Sequence, residues 1–157
     1  MTTICWDGRK LAADTRYIEG DSFHGYCRKI IMLNDGKILA VSGEIGYLKT
    51  LGDAIEAGKT WGETLSRKEM AKFGALLYDP DADVMYYFDA SHKGFIPLAT
   101  RKTAIGAGAE IAMAFMRQNY TAKNAVRAVS KVHVTTNNII DIYDSETKEL
   151  TLAPLPE

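Results

Sequence analysis

The sequence predicts an α+β domain in which antiparallel sheets are covered by helices, and three observations carry that prediction. Short apolar runs flank turn chemistry at four places along the chain, which is the mark of hairpins. Two apolar faces of helical period stand back to back in the second half. No repeat and no low-complexity segment interrupts the order of strands, helix, strands, two helices, strands.

Thr2 to Trp6 and Lys10 to Asp14 lie on either side of Asp7-Gly8, so the chain opens with a hairpin. An irregular stretch rich in Gly20, Gly25 and aromatics follows. Lys29 to Leu33 and Lys37 to Ser42 then flank Asn34-Asp35-Gly36 as a second hairpin. From Glu44, the residues Ile45, Leu48 and Ile55 recur at near-helical spacing, and Gly58 is the stop signal. Phe73 to Tyr78 and Val84 to Phe88 bracket Asp79-Pro80-Asp81-Ala82-Asp83, a third hairpin. A short strand at Thr103 to Ile105 runs into Gly106-Ala107-Gly108. Beyond it Ile111, Ala112, Phe115 and Met116 mark one helical face. Thr121 can cap a further helix, whose face is Ala122, Ala125, Val126 and Val129. Asn138 to Tyr143 and Glu149 to Leu152 form the closing hairpin. Two sheets facing each other, with helices outside, would bury these apolar faces.

Composition narrows the classes without naming a function. The chain has 157 residues, 46% hydrophobic and 25% charged, within the ordinary range for one globular domain over 1–157. About two-thirds of the unfolded chain's surface can be buried at this size, enough without disulfides or metal. Cys5 and Cys27 therefore read as small hydrophobes. The formal net charge of −1, with signs well mixed, offers no basic stripe for nucleic acid. No apolar run reaches the ~20 residues of a membrane span, and no secretory signature opens the chain, so the expected compartment is the cytoplasm.

Thr2 follows a single Met, and removal of Met1 would leave a threonine with a free α-amine. An unperturbed α-amine titrates near 7.7 to 8.0, so at neutral pH it can accept a proton from the same residue's hydroxyl. A lysine beside that pair would favour the neutral amine and the alkoxide, and it needs a carboxylate to stay charged. Lys29 and Asp14 can serve if the fold brings them together; otherwise each is a solvated surface charge. Gly43 follows a predicted strand and could offer its N–H to an oxyanion, or equally break the strand before the helix.

Several blocks carry a family resemblance. Met-Thr-Thr-Ile at 1–4, Leu-Ala-Ala-Asp-Thr-Arg at 11–16, Arg-Lys-Ile-Ile at 28–31, Ala-Val-Ser-Gly at 40–43, Ala-Ile-Gly-Ala-Gly at 104–108 and Ile-Ile-Asp-Ile-Tyr at 139–143 occur in the order found in proteasome β subunits. The chain resembles the proteasome and HslV-like family of N-terminal-nucleophile threonine peptidases. That resemblance implies a four-layer αββα sandwich and a homo-oligomeric ring that hydrolyses unfolded proteins or peptides. An ATP-dependent unfoldase would be the partner, and no cofactor is called for. It places the nucleophile on Thr2, the acidic partner on Asp14, the lysine on Lys29 and the oxyanion glycine on Gly43.

Two positions depart from the family pattern. Ala107 stands where the family has a serine hydroxyl near the terminal amine, and His133 falls near the family's late aspartate. Thr136 falls near the accompanying serine and keeps a hydroxyl. The departures favour one rival, a catalytically inactive ring or scaffold protein; a second rival is an N-terminal-nucleophile amidase acting on a small molecule, which needs an open pocket and no enclosed chamber. A zinc site is not expected, since His24, His92, His133, Cys5 and Cys27 lack paired ligand spacing. Gly106-Ala107-Gly108 lacks the remaining residues of a phosphate loop and reads as a tight helix entry. Tyr86, Tyr87 and Phe88 read as sheet core and interface.

Overall fold

A computed structural model describes residues 2–19, 22–59 and 65–156; Met1 and Gly20 lie outside them. The chain divides into two compact units, residues 1–29 with 100–157 and residues 30–99.

The first unit is built on a five-stranded antiparallel sheet. Strand β1 (Thr3–Trp6) pairs with β2 (Lys10–Asp14) across the Asp7-Gly8 turn, with Ile4 opposite Ala13. Asp7 fixes this turn by accepting from the amides of Arg9 and Lys10 at 2.9 and 2.7 Å. β3 (Arg16–Glu19) and β4 (Ser22–Tyr26) form a separate two-stranded ribbon. The stretch read as irregular is thus largely paired strand. Its polar, aromatic-rich strands lack the apolar alternation that marks a half-buried strand.

The second unit, residues 30–99, carries its own antiparallel sheet. Its strands are β5 (Ile30–Met32), β6 (Ile38–Gly43), β7 (Phe73–Asp79), β8 (Val84–Asp89) and β9 (Gly94–Pro97), adjacent in that order. Helix α1 (Gly46–Glu56) ends before Gly58, which takes a positive φ of 68°. A one-turn helix α2 (Arg67–Met70) opens with a capping box between Ser66 and Glu69. One sheet face, with Leu39, Val41, Phe73, Ala75 and Leu77, packs with Leu51 and Met70 and with the partly buried Tyr47, Leu48 and Ile55. Tyr86 and Phe88 join this core, with Phe88 5.0 Å from Phe73 between ring centroids. The alternate positions on the other face, Ile38, Ala40, Leu76 and Tyr78, are apolar too.

The chain then returns to the first unit. β10 (Thr103–Gly106) pairs with β1, and α3 (Ala109–Met116) and α4 (Ala122–Ser130) follow. Thr121 caps α4 by accepting from the Asn124 amide, and Asp7 accepts from the Ala122 amide at 2.8 Å. Each such cap contributes about 1 kcal/mol. β11 (Ile140–Asp144) enters the sheet beside β2, and β12 (Glu149–Thr151) forms the edge, so the order is β10-β1-β2-β11-β12. Ala112, Met116, Ala122, Ala125, Val126 and Val129 of the two helices pack on Cys5, Ala12 and Ile140.

Both cysteines are free thiols, Cys5 buried and Cys27 half-buried. Burial pushes the Cys5 thiol far up, with Asp7 and Asp14 adding to it; burial also raises Cys27, against the opposing charge of Lys29. Alkylation by iodoacetamide at pH 8 is therefore expected to be slow at Cys27 and to reach Cys5 only on unfolding. Peptide mass spectrometry across a urea series reads this directly, and early loss of Cys5 would contradict the packing described above.

Candidate active site

The end of β2 carries a buried carboxylate that gathers the chain around it. Asp14 is fully buried and lies opposite Ile140 of β11. Its Oδ1 accepts from the Thr2 hydroxyl at 2.5 Å, from the Thr3 amide at 3.0 Å and from Lys29 Nζ at 2.9 Å. Its Oδ2 accepts from the amides of Arg16 at 3.2 Å and Asn137 at 3.3 Å. Five donors on one carboxylate compensate its removal from water.

Thr2 sits immediately before β1 and is 2% exposed; Lys29 is 6% exposed. Lys29 Nζ donates to the Thr2 hydroxyl oxygen while the hydroxyl donates to Asp14. Burial pushes the Lys29 ammonium below the usual lysine range, and the charge and hydrogen bond of Asp14 oppose that shift. The three residues thus meet at one hydroxyl, with a cation placed where negative charge on Oγ1 would be favoured.

Gly43, the fourth residue singled out, belongs to the other unit and ends β6 with φ of 98°. A Cβ there would lie 2.9 Å from Phe73 Cα and closer still to the Lys72 carbonyl. Backbone approach within the residue 30–99 unit therefore requires glycine at this position.

The Gly106-Ala107-Gly108 segment lies beside Thr2. Gly106 has φ of 96°, and a Cβ on it would collide with the Thr2 carbonyl. The helix-entry reading is correct, and the close approach explains it. Ala107 is exposed. Thr136 is buried, and its hydroxyl shares a 2.7 Å hydrogen bond with the Thr3 hydroxyl. His133 Nδ1 bonds instead to the Thr135 hydroxyl at 2.6 Å.

Sequence reasoning missed Asn137 and Thr15, which lock the loop before β11 onto the end of β2. Asn137 Oδ1 accepts from the Thr15 amide at 3.0 Å, and the Thr15 hydroxyl donates to the Ile139 carbonyl at 2.9 Å. A polar run, Thr135-Thr136-Asn137-Asn138, just ahead of an apolar strand was the available signal. Among the described residues no His, Cys, Asp and Glu cluster could hold a metal ion, and no helix is long and apolar enough to cross a membrane.

The chain is similar in fold to solved structures that include an HslV. Two solved structures show that likeness over nearly the whole chain. The BPH of Thiobacillus denitrificans in complex with epoxomicin superposes with a TM-score of 0.67 at 18% identity, covering 98% of this chain and 100% of that one. HslV from Trypanosoma brucei superposes with a TM-score of 0.68 at 19% identity, covering 90% and 97%. No protein-family model matches the sequence, and no curated protein does.

Proposed function

We propose that the protein is a threonine-type endopeptidase subunit that hydrolyses peptide bonds of unfolded proteins through Thr2, exposed by removal of Met1. The observation that carries this reading is the buried contact of Lys29 and Asp14 with the Thr2 hydroxyl. The freed α-amine takes the hydroxyl proton as Oγ1 attacks the scissile carbonyl carbon. Lys29 stabilises the charge developing on Oγ1 as the carbonyl oxygen becomes negative, and the family resemblance assigns the donor to that oxygen to the Gly43 N–H. Collapse of the tetrahedral species breaks the C–N bond, the amine product leaves with the proton, and water then hydrolyses the acyl ester on Thr2.

The fold likeness supports a single domain over 1–157 arranged as a four-layer αββα sandwich, as does the second apolar face of the residue 30–99 sheet. It equally supports a closed homo-oligomeric ring in the cytoplasm, served by an ATP-dependent unfoldase. Light scattering at micromolar concentration tests the ring, and a monomer would favour the amidase reading.

Purified protein is to be weighed intact, then incubated with epoxomicin and with an unfolded protein substrate. Loss of Met1, an adduct on Thr2 and cleavage of the substrate are the expected results. A protein that has lost Met1 yet forms no adduct and cleaves nothing with candidate unfoldases defeats the peptidase reading. The inactive-scaffold reading has two observations in its favour, the absence of a hydroxyl at Ala107 and of an anion at His133. Ala107→Ser is then the informative variant. If amine orientation is the deficit, it should raise cleavage on the order of tenfold to a hundredfold.

A further inference from the structure

Lys29 is not held by a strand. Residues 27–29 lie between β4 and β5 outside any ladder, so the lysine's position depends on individual ties. The Cys27 amide donates to the Thr15 carbonyl at 2.8 Å, and Lys29 reaches Asp14 and Thr2. Between them, Arg28 Nη1 meets Asp141 Oδ1 at 2.5 Å.

Asp141 is an expensive residue in that place. It lies on β11 opposite Ala13, one step beyond the Ile140–Asp14 pair, and its side chain is 1% exposed. Its cross-strand partner Ala13 and the next position on that sheet face, Leu11, are apolar and fully buried. Oδ1 takes both available donors, Arg28 and the Ala153 amide at 2.8 Å, while Oδ2 is buried with no partner among the described residues. Burial raises the carboxyl, opposed by the Ala153 amide and Arg28. A half-satisfied buried ion pair is a poor source of stability compared with an apolar side chain. An anchoring role accounts for it, because consecutive residues Arg28 and Lys29 are each tied to a carboxylate on the adjacent strands β11 and β2.

We propose that Asp141 is a positioning residue, which through Arg28 fixes the 27–29 segment so that Lys29 Nζ stays on the Thr2 hydroxyl. Its catalytic consequence rests on the peptidase reading; the placement of Lys29 does not. The test therefore has two arms, applied to Asp141→Asn, Arg28→Met, their double variant and Arg28→Lys. Asn at 141 can still accept from the Ala153 amide, and Lys at 28 can still pair with Asp141.

In the first arm, acetylation by N-acetoxysuccinimide is followed lysine by lysine by peptide mass spectrometry, with alkylation of buried Cys5 as the monitor of global opening. Lys29 should acetylate about fivefold faster or more in Asp141→Asn and in Arg28→Met, with Cys5 unchanged, since the opening is local. The double variant should be no faster than either single one, and Arg28→Lys should stay within about twofold of wild type. Wild-type protection of Lys29 in either of the first two variants overturns the proposal, as does Cys5 opening in step with Lys29. In the second arm, kcat on a fluorogenic peptide should fall about tenfold with KM unchanged. An unchanged kcat with Lys29 exposed overturns the catalytic part. A wild type that cleaves nothing removes the peptidase reading, and the acetylation arm still decides the placement of Lys29.

Discussion

Replacing Thr2 by Ala is expected to abolish peptide hydrolysis, Lys29→Ala to do nearly the same, and the double variant to be little worse than either. In the proposed mechanism both groups act on one oxygen. Without Oγ1 the ammonium has nothing to stabilise, and without the ammonium the hydroxyl faces only Asp14, an anion that opposes negative charge on Oγ1. Groups that act as a unit lose their effect together, so the free-energy losses should be grossly non-additive. Neither variant should lose the fold. Asp14 keeps the amides of Thr3, Arg16 and Asn137 when Lys29 is gone, so the buried carboxylate remains hydrogen-bonded. Cleavage of a fluorogenic peptide by each variant, with Met1 removal confirmed by mass, makes the comparison. Independent, multiplying losses would show that the two residues serve separate functions.

Asp14→Ala should have the larger effect on stability. It strips Lys29 of its counter-ion in a site that is almost closed to water, and it leaves the amides of Thr3, Arg16 and Asn137 without their acceptor. Breaking a buried ion pair by removing one partner costs about 3–5 kcal/mol. The pH dependence of that loss has a definite sign. Burial holds the folded-state pKa of Lys29 below its unfolded value, and without Asp14 nothing opposes that shift as strongly. Between the two values the unfolded chain binds more protons, so stability rises with pH. Urea denaturation should therefore show a greater deficit for Asp14→Ala at pH 6 than at pH 9. A deficit that does not change with pH would mean that the lysine's charge is not what the carboxylate compensates.

Much of the fold was legible because turn chemistry and periodicity are local signals. Asp7-Gly8, Asn34-Asp35-Gly36 and the Asp79–Asp83 run each sit between strands that pair as their flanking apolar runs require. The faces of α3 and α4 follow from period alone. β9 escaped because it is a four-residue edge strand ending on Pro97, a residue that argues against a strand when read without its neighbours. α2 escaped because one turn is too short to show a period, although Ser66 and Glu69 stand at capping-box spacing.

The site was legible only in part, and for a different reason. Nothing in spacing says that Asp14 and Lys29 converge on Thr2; those positions came from the family resemblance and from the chemistry of an N-terminal threonine. The supporting contacts run through backbone amides of Thr3, Arg16 and Asn137, which any residue but proline could supply and which leave no mark in side-chain identity. Asp141 was hidden in an apolar strand, where one acidic residue looks like the solvent-facing half of an alternation.

The pairing of β2 with β11 has a consequence during synthesis. The Asn137 amide and Asp14 are 123 residues apart in sequence, and β10 and β11 supply neighbours to β1 and β2 from the far end of the chain. The residue 30–99 unit is contiguous and draws its sheet from strands close in sequence, so it can close early. At about 5–20 residues per second of translation, the opening hairpin waits roughly 6–25 s before its partners emerge. The buried surroundings of the Thr2 hydroxyl are thus completed late, only once residues 103–144 are available to pair with the opening hairpin.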